Sequence, residues 1–288
     1  MNKFFRLIKQ IHIHPLLWLV MALSILTGHF LELSIFLSII FIHELGHGIA
    51  ATYFSWRVKR ISMLPFGGVA EVDEHGNRPL KEEVIVTLAG PLQHIWMMGL
   101  AFVLHQFFWF SDDYYQRFMD FNLMVLVFNL LPIWPLDGGK LIYLWRSRKE
   151  SFSNAHQKTI FISCLSLVTF LICLLLIQPI NINLWIIASF LAVSLYYEWK
   201  QRHYVFVRFL LERFYGKKVE FKALRTIHVK EDESVTAVLE QFQRGCKHLI
   251  IIDKEENETQ QLDENELLHA YFVEKRHSAK MSELLYPY

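Results

Sequence analysis

Residues 31–54 form an apolar run long enough to cross a bilayer, and it is interrupted by His43-Glu44-Leu45-Gly46-His47. Nothing else in the chain limits its options so sharply. Between Leu31 and Ile42 the only charge is Glu32. A glutamate and two imidazoles at the centre of a spanning helix each cost about 1–3 kcal/mol or more of insertion free energy. A chain that keeps them there needs a partner or a function for them. On a helix, residues four apart share a face, so both imidazoles point the same way with the glutamate beside them. Two neutral imidazoles in that spacing suit a zinc ion, and Glu44 can then take a proton from water. In a soluble chain a five-residue match of this kind is weak; the apolar setting makes it specific.

The surroundings agree with a membrane setting. The chain is 53% hydrophobic and 20% charged, above the roughly 45–50% apolar share of soluble domains. A formal net charge of +1 excludes the strongly basic face of a direct nucleic-acid binder. Cys164, Cys173 and Cys246 form neither a disulfide framework nor a zinc-knuckle spacing and read as packing residues. Lys3, Arg6 and Lys9 precede an apolar run with no small-residue cleavage site, which predicts an uncleaved first span.

Six spans are predicted, over residues 15–30, 31–54, 84–110, 121–136, 160–177 and 184–197. The intervening loops alternate between basic and acidic or neutral, so the positive-inside rule places both termini in the cytoplasm. Residues 58–64 and 69–72 have strand composition and flank the turn Pro65-Phe66-Gly67-Gly68, predicting a hairpin at the membrane surface beside the histidine helix. A plain connecting loop is the alternative there. Asp112, Asp113 and Asp120 read as an acidic loop. From Lys200 the composition turns soluble. A helical connector over 208–215 leads to a strand at 226–229, a helix at 235–244, a strand at 248–253 and a helix at 265–273, the order of a small α/β module. The predicted architecture is a polytopic α-helical membrane protein with a short surface hairpin and a small C-terminal α/β domain. Its boundaries fall at 1–199, 200–223 and 224–288.

A catalytic zinc takes three protein ligands and keeps one position open. The best third ligand is Asp137, which follows a helix broken by Pro132 and Pro135 and precedes Gly138-Gly139, where the backbone can approach closely. A helix N-cap is its alternative role, compatible with the first. His14, His29, His94 and His105 are rivals without comparable turn chemistry; His94 reads as packed or hydrogen-bonded, and His12 as interfacial. Zinc on His43, His47 and Asp137 with Glu44 as general base implies hydrolysis, and in a membrane the substrate helix must first unwind. The hairpin around Phe66 offers an edge for an extended chain to join. Asn129 could hold a substrate carbonyl or make an interhelical hydrogen bond.

Together, His43-Glu44-Leu45-Gly46-His47, Ala89-Gly90-Pro91, and Asn129 with Pro135-Leu136-Asp137-Gly138-Gly139 resemble the site-2 intramembrane metalloprotease family over about residues 10–200. Within it, Phe54-Ser55-Trp56-Arg57, Leu64-Pro65-Phe66-Gly67-Gly68, 76–83 and Gln201-Arg202-His203-Tyr204 resemble its sporulation members. The resemblance implies a zinc metalloendopeptidase that removes the N-terminal segment of a pro-sigma-K-like protein in the mother-cell membrane around the forespore, under inhibitory membrane-protein partners. It carries the ligand roles onto His43, His47 and Asp137, the base onto Glu44, and substrate engagement onto Phe66, Asn129 and Pro135. The family's more usual Asn-Pro-Asp-Gly is Pro135-Leu136-Asp137-Gly138 here, so the residue before the aspartate departs. Residues 244–253 and 263–268 resemble a single cystathionine-beta-synthase-type (CBS) domain. That resemblance implies a homo-oligomer and ATP binding, with a structural or substrate-docking tail as the alternative.

Two readings from other classes compete with a protease. A transmembrane metal transporter would use the His/Glu/Asp cluster as a transit site, but does not explain the acid between the histidines. A scaffold with a degenerate site has no need of an intact Glu44.

Overall fold

A computed structural model describes residues 11–64, 67–72, 78–216, 223–253 and 259–284. Two compact units are formed. The first comprises Met1–Glu74, Lys81–Leu141 and Ser163–Ser194; the second comprises His75–Leu80, Ile142–Ile162 and Leu195–Tyr288.

The first unit is built around α2 (Phe30–Tyr53). Ile35, Ile39, His43, His47 and Ala51 recur every four residues and are all buried, so the histidines continue the same slowly winding stripe that holds the apolar core. Ile35, Ile39 and Ile40 pack with Leu17 of α1 (Pro15–Leu26), Met63 of β2 (Val58–Leu64), Met97 of α3 (Leu80–Gln106) and Val125 of α4 (Asp112–Asn129). Between α1 and α2 the chain turns at Gly28, whose φ of 78° is a conformation that side-chain-bearing residues rarely adopt. Trp56 closes the other end of α2 by donating its indole N–H to Glu82 Oε2 at 2.9 Å.

The expected hairpin is present: β2 pairs antiparallel with β3 (Gly67–Val72), Leu64 opposite Gly67, with a bulge between Val58 and Arg60. Its turn residues Pro65 and Phe66 lie outside the described residues. An unexpected short strand, β1 (Ile11–Ile13), runs parallel to β2, with Ile13 opposite Met63.

Helix boundaries differ at several places, two of them with a clear physical cause. The acidic stretch expected as a loop is the start of α4, where the Ser111 hydroxyl accepts from Tyr114 N–H and Asp112 and Asp113 occupy the first turn. Carboxylates there face the positive end of the helix dipole, which favours the helix. The expected sixth span and the connector after it form one continuous helix, α7 (Ile182–Tyr215).

Among the described residues, four helices are long and apolar enough to cross a membrane: α2, α3, α6 (Phe152–Ile177) and α7. By comparison α1 has only 12 residues, and α4 carries Asp112, Asp113, Arg117 and Asp120. Within their apolar windows, 44% of α2 is buried against 17% of α7, so α2 is central in its unit. Leu165, Val168, Ile172 and Leu175 of α6 are exposed, a surface that lipid rather than water would solvate. The chain is thus mostly helical, with four candidate spans and small sheets.

In the second unit, β4 (Ala223–Lys230) pairs parallel with β5 (Cys246–Asp253), and β5 pairs antiparallel with β6 (Thr259–Asp263). α8 (Val235–Leu239) lies between β4 and β5, and α9 (Glu264–Phe272) and α10 (Met281–Leu284) follow β6. Strand β6 is additional to the expected order, and the predicted 235–244 helix ends at Leu239. Val235, Val238, Leu239, Ile250, Ile252, Leu267 and Leu268 form its dry centre.

Arg213 of α7 is buried in this unit. Its Nε and Nη2 donate to both oxygens of Glu264 at 2.6 and 2.9 Å, and Nη1 donates to Gln243 O at 3.0 Å. Glu264 also accepts from His248 N–H at 2.8 Å. Burial raises the Glu264 carboxyl, but the hydrogen bonds from His248 and Arg213 outweigh it and hold it below the usual carboxylate value. Burial pushes the His248 imidazole below its ordinary value.

Candidate metal centre

Two elements meet to make the site. The α2 stripe delivers His43 and His47, and α5 (Asp137–Arg146) delivers Asp137 at its first turn. The chain reaches Asp137 through the cis Trp134–Pro135 peptide. Trp134 N–H donates to the Ser163 hydroxyl at 3.0 Å. Both glycines after the aspartate are pressed against backbone: a Cβ at Gly139 would lie 2.7 Å from Trp134 N, and one at Gly138 2.5 Å from Leu130 C. Only a bare Cα lets the broken segment fold back so tightly.

Asp137 Oδ2 lies 3.2 Å from His43 Nε2 and 3.1 Å from His47 Nε2, and the two Nε2 atoms are 3.1 Å apart. All three residues are buried. Donors at tetrahedral corners around zinc, with bonds of about 2.0–2.1 Å, stand roughly 3.3 Å from one another, so the observed spacing matches. Asp137 Oδ2 is buried and, among the described residues, has no hydrogen-bond partner, a costly state for a carboxylate oxygen. His47 Nδ1 faces Val86 O at 2.7 Å. A carbonyl only accepts, so Nδ1 carries the hydrogen, and in the neutral ring Nε2 presents a lone pair to the cluster. Two nitrogens and one oxygen, with hard and borderline character, fit a divalent zinc. Lys140 Nζ lies 3.5 Å from the other oxygen, Oδ1, which leaves Oδ2 as the inward donor.

Two glycines press on this cluster. A Cβ at Gly90 of α3 would lie 2.7 Å from His43 Nε2 and 2.5 Å from His47 Cε1, with His47 Nε2 closer still. A Cβ at Gly68 of β3 would lie 2.7 Å from Glu44 Cδ and 2.9 Å from Glu44 Oε1. The buried Glu44 carboxyl therefore lies against the backbone of the hairpin's second strand.

Of the other residues singled out from sequence, Asn129 donates to Val125 O of its own helix at 3.0 Å, and Pro135 is half-buried. Phe66 lies outside the described residues. The rival histidines are elsewhere engaged. His14 Nδ1 accepts from Leu16 N–H, His29 faces Glu32 at 2.7 Å, and His105 faces Asp112 at 2.8 Å. His94 stands behind the cluster, its Nε2 3.0 Å from His43 Nδ1. Sequence reasoning overlooked Asn122, which is fully buried beside His94. The available signal was an amide one heptad before Asn129 in an otherwise apolar stretch.

Residues 32–116 match the model of peptidase family M50. The chain is 51% identical over 291 residues to stage IV sporulation protein FB of Bacillus subtilis, across the full length of both. It is 32% identical over 171 residues to zinc metalloprotease MJ0392 of Methanocaldococcus jannaschii, covering 53% of this chain and 48% of that one. Among solved structures, a site-2 protease from M. jannaschii superposes with a TM-score of 0.52 at 27% identity, over 65% of this chain and 89% of that one.

Proposed function

The chain belongs to peptidase family M50, and from that premise we propose that His43, His47 and Asp137 hold a catalytic zinc while Glu44 serves as general base in peptide-bond hydrolysis. The chain is a zinc metalloendopeptidase of the site-2 protease type, acting in a membrane. The observation that carries the residue assignment is the convergence of Asp137 Oδ2 and two imidazole Nε2 atoms at 3.1–3.2 Å, the oxygen lacking any hydrogen bond.

His43, His47 and Asp137 would hold the zinc, which would supply Lewis acidity toward water and the scissile carbonyl. Glu44 receives the proton of the attacking water and returns it to the leaving amine. Burial of all four side chains limits competing water and strengthens each charge interaction. Lys140, beside Asp137 Oδ1, holds the carboxylate so that its other oxygen faces the imidazoles. An extended substrate segment lies along β3, whose Gly68 backbone adjoins Glu44, so the scissile bond is delivered to the base by strand addition. Phe66, Asn129 and Pro135 engage that segment.

The substrate is the membrane-associated pro-form of a sporulation sigma factor of the sigma-K type, and removal of its N-terminal segment is the reaction. Support for this comes from full-length similarity to a stage IV sporulation protein. The same similarity supports the mother-cell membrane around the forespore; inhibitory membrane-protein partners belong to this reading, and a homo-oligomer to that of the C-terminal domain. Six spans with cytoplasmic termini follow if α1 and α4 also cross the bilayer. The C-terminal sheet and helices are assigned to a CBS-like domain that binds ATP. The relatives are metalloproteases and lend the transporter reading no support.

Purified protein incubated with a pro-sigma-K-type substrate, with products mapped by mass, tests the proposal. Wild type is expected to yield one defined cut. Glu44→Gln is expected to retain zinc and yield none, and Asp137→Ala to lose both. Cleavage at the wild-type rate by Glu44→Gln would falsify the general-base assignment.

A further inference from the structure

We propose that His94 and Asn122 are positioning residues for His43: a two-member relay of buried side chains that sets the tautomer and the ring orientation of this one ligand. The inference rests on the zinc site proposed above.

The relay begins at a group that can only accept. Asn122 Nδ2 donates to Phe118 O at 2.9 Å, so its Oδ1 is the atom turned to His94 Nδ1, 3.0 Å away. An amide oxygen only accepts, so His94 Nδ1 carries the hydrogen and the neutral ring's Nε2 presents a lone pair. That lone pair faces His43 Nδ1 at 3.0 Å. His43 Nδ1 therefore donates, and its Nε2 is left unprotonated, facing Asp137 Oδ2. With both rings neutral, every donor in the series meets an acceptor.

Both relay residues are fully buried, His94 on α3 and Asn122 on α4. Polar groups at such positions are costly unless completely hydrogen-bonded, and an apolar pair would pack there at less cost. Their retention is explained by what they do to His43. The two ligand histidines also differ in an instructive way. His47 is oriented by the carbonyl of Val86, a backbone group that substitution cannot remove. His43 has no backbone acceptor at Nδ1 and takes its orientation from side chains carried by two other helices. Outer partners of this kind typically change metal affinity 10- to 100-fold when removed.

The test uses full-length protein in detergent, with zinc affinity measured by chelator competition and the visible spectrum of the Co(II)-loaded form as a second readout. His94→Leu is expected to weaken zinc about 10- to 100-fold and to shift the cobalt bands. Asn122→Leu is expected to weaken it in the same direction, and adding it to His94→Leu to cause no further loss. His94→Gln, whose Oε1 can accept from His43 Nδ1, is expected to return affinity to within a few-fold of wild type and to restore the spectrum. Unchanged affinity and spectrum in His94→Leu overturn the relay, as does equal loss in the Leu and Gln variants, which would make it a matter of volume. Should His94→Leu fail to fold, Asn122→Leu decides alone: weakened zinc supports the relay and wild-type affinity overturns it. Wild type that binds no zinc, or Asp137→Ala that binds it as tightly, defeats the underlying zinc site as well. Zinc lost in Asp137→Ala but unaffected in His94→Leu and Asn122→Leu defeats the relay only.

Discussion

Gly90→Ala separates the metal site from the fold that carries it. The added methyl would sit 2.7 Å from His43 Nε2 and 2.5 Å from His47 Cε1, where ordinary contact begins at 3.4 Å. Something must shift, and the atoms in the way are the free ends of two rings rather than backbone. Swinging those rings loosens their buried hydrogen bonds to Val86 O and His94, a cost of about 1–3 kcal/mol, against which alanine gains about 0.8–1 kcal/mol over glycine in a helix interior. Overall stability is therefore expected to fall by no more than about 2 kcal/mol. For metal binding the same shift is severe. The donors must move by about 0.7 Å or more, several times the roughly 0.2 Å latitude of a coordination distance. Zinc affinity is expected to fall at least about 10-fold, by analogy with lost outer-sphere support, and cleavage to fall with it. The assay pairs chelator competition with thermal unfolding of the metal-free protein. Wild-type zinc affinity in a folded Gly90→Ala protein would refute the close approach of α3 to the ligands. A collapse of metal-free stability would refute the claim that ring ends alone are in the way.

Gly68→Ala makes the complementary change, placing a methyl against Glu44 rather than against the ligands. Zinc content is expected to stay at the wild-type level while the cleavage rate drops, and a parallel loss of both would contradict the separate placement. The second unit should lose stability in acid in two stages. His248 is held below its ordinary value by burial, so the unfolded chain takes up a proton near pH 6.5 that the folded one does not, and stability falls from there downward. Glu264 is held below the usual carboxylate range by His248 and Arg213, so its contribution is present above the unfolded value of 4.5 and is lost as pH falls further. Unfolding followed by amide exchange in β5 measures both stages; a pH-independent profile between 7 and 4 would count against them. Arg213→Met leaves Glu264 buried without its ion-pair partner and is expected to cost this unit about 3–5 kcal/mol, with a change under about 1 kcal/mol arguing that the pair is dispensable.

Local chemistry explains which parts of the structure were legible from sequence. The hairpin could be read because β-branched and apolar residues flank a Pro-Phe-Gly-Gly turn, and β2 occupies the residues expected of it. Strand β1 could not: three residues with no turn signal acquire their pairing only from β2. The start of α4 is hidden because its aspartates read as loop polarity, although Ser111 followed by two acids is a helix N-terminus signal. Likewise α7 reads in sequence as two pieces, 184–197 and 208–215, because a helix that changes surroundings changes composition without ending. At the site, His43, Glu44 and His47 were legible as a local motif, and Asp137 as the one acid at a broken apolar helix. Their meeting point, and the contributions of Val86 O, Gly68, Lys140 and Asn122, depend on helix packing that no local pattern encodes.

X-ray absorption at the zinc edge of the purified wild-type protein tests the central claim most directly. One zinc per chain is expected, with two imidazole nitrogens at about 2.0–2.1 Å, further oxygen at about 2.0–2.2 Å and no sulfur, and with loss of the signal in Asp137→Ala. A protein with no zinc, with sulfur in its coordination shell, or with the same spectrum after Asp137→Ala would contradict the assignment of His43, His47 and Asp137.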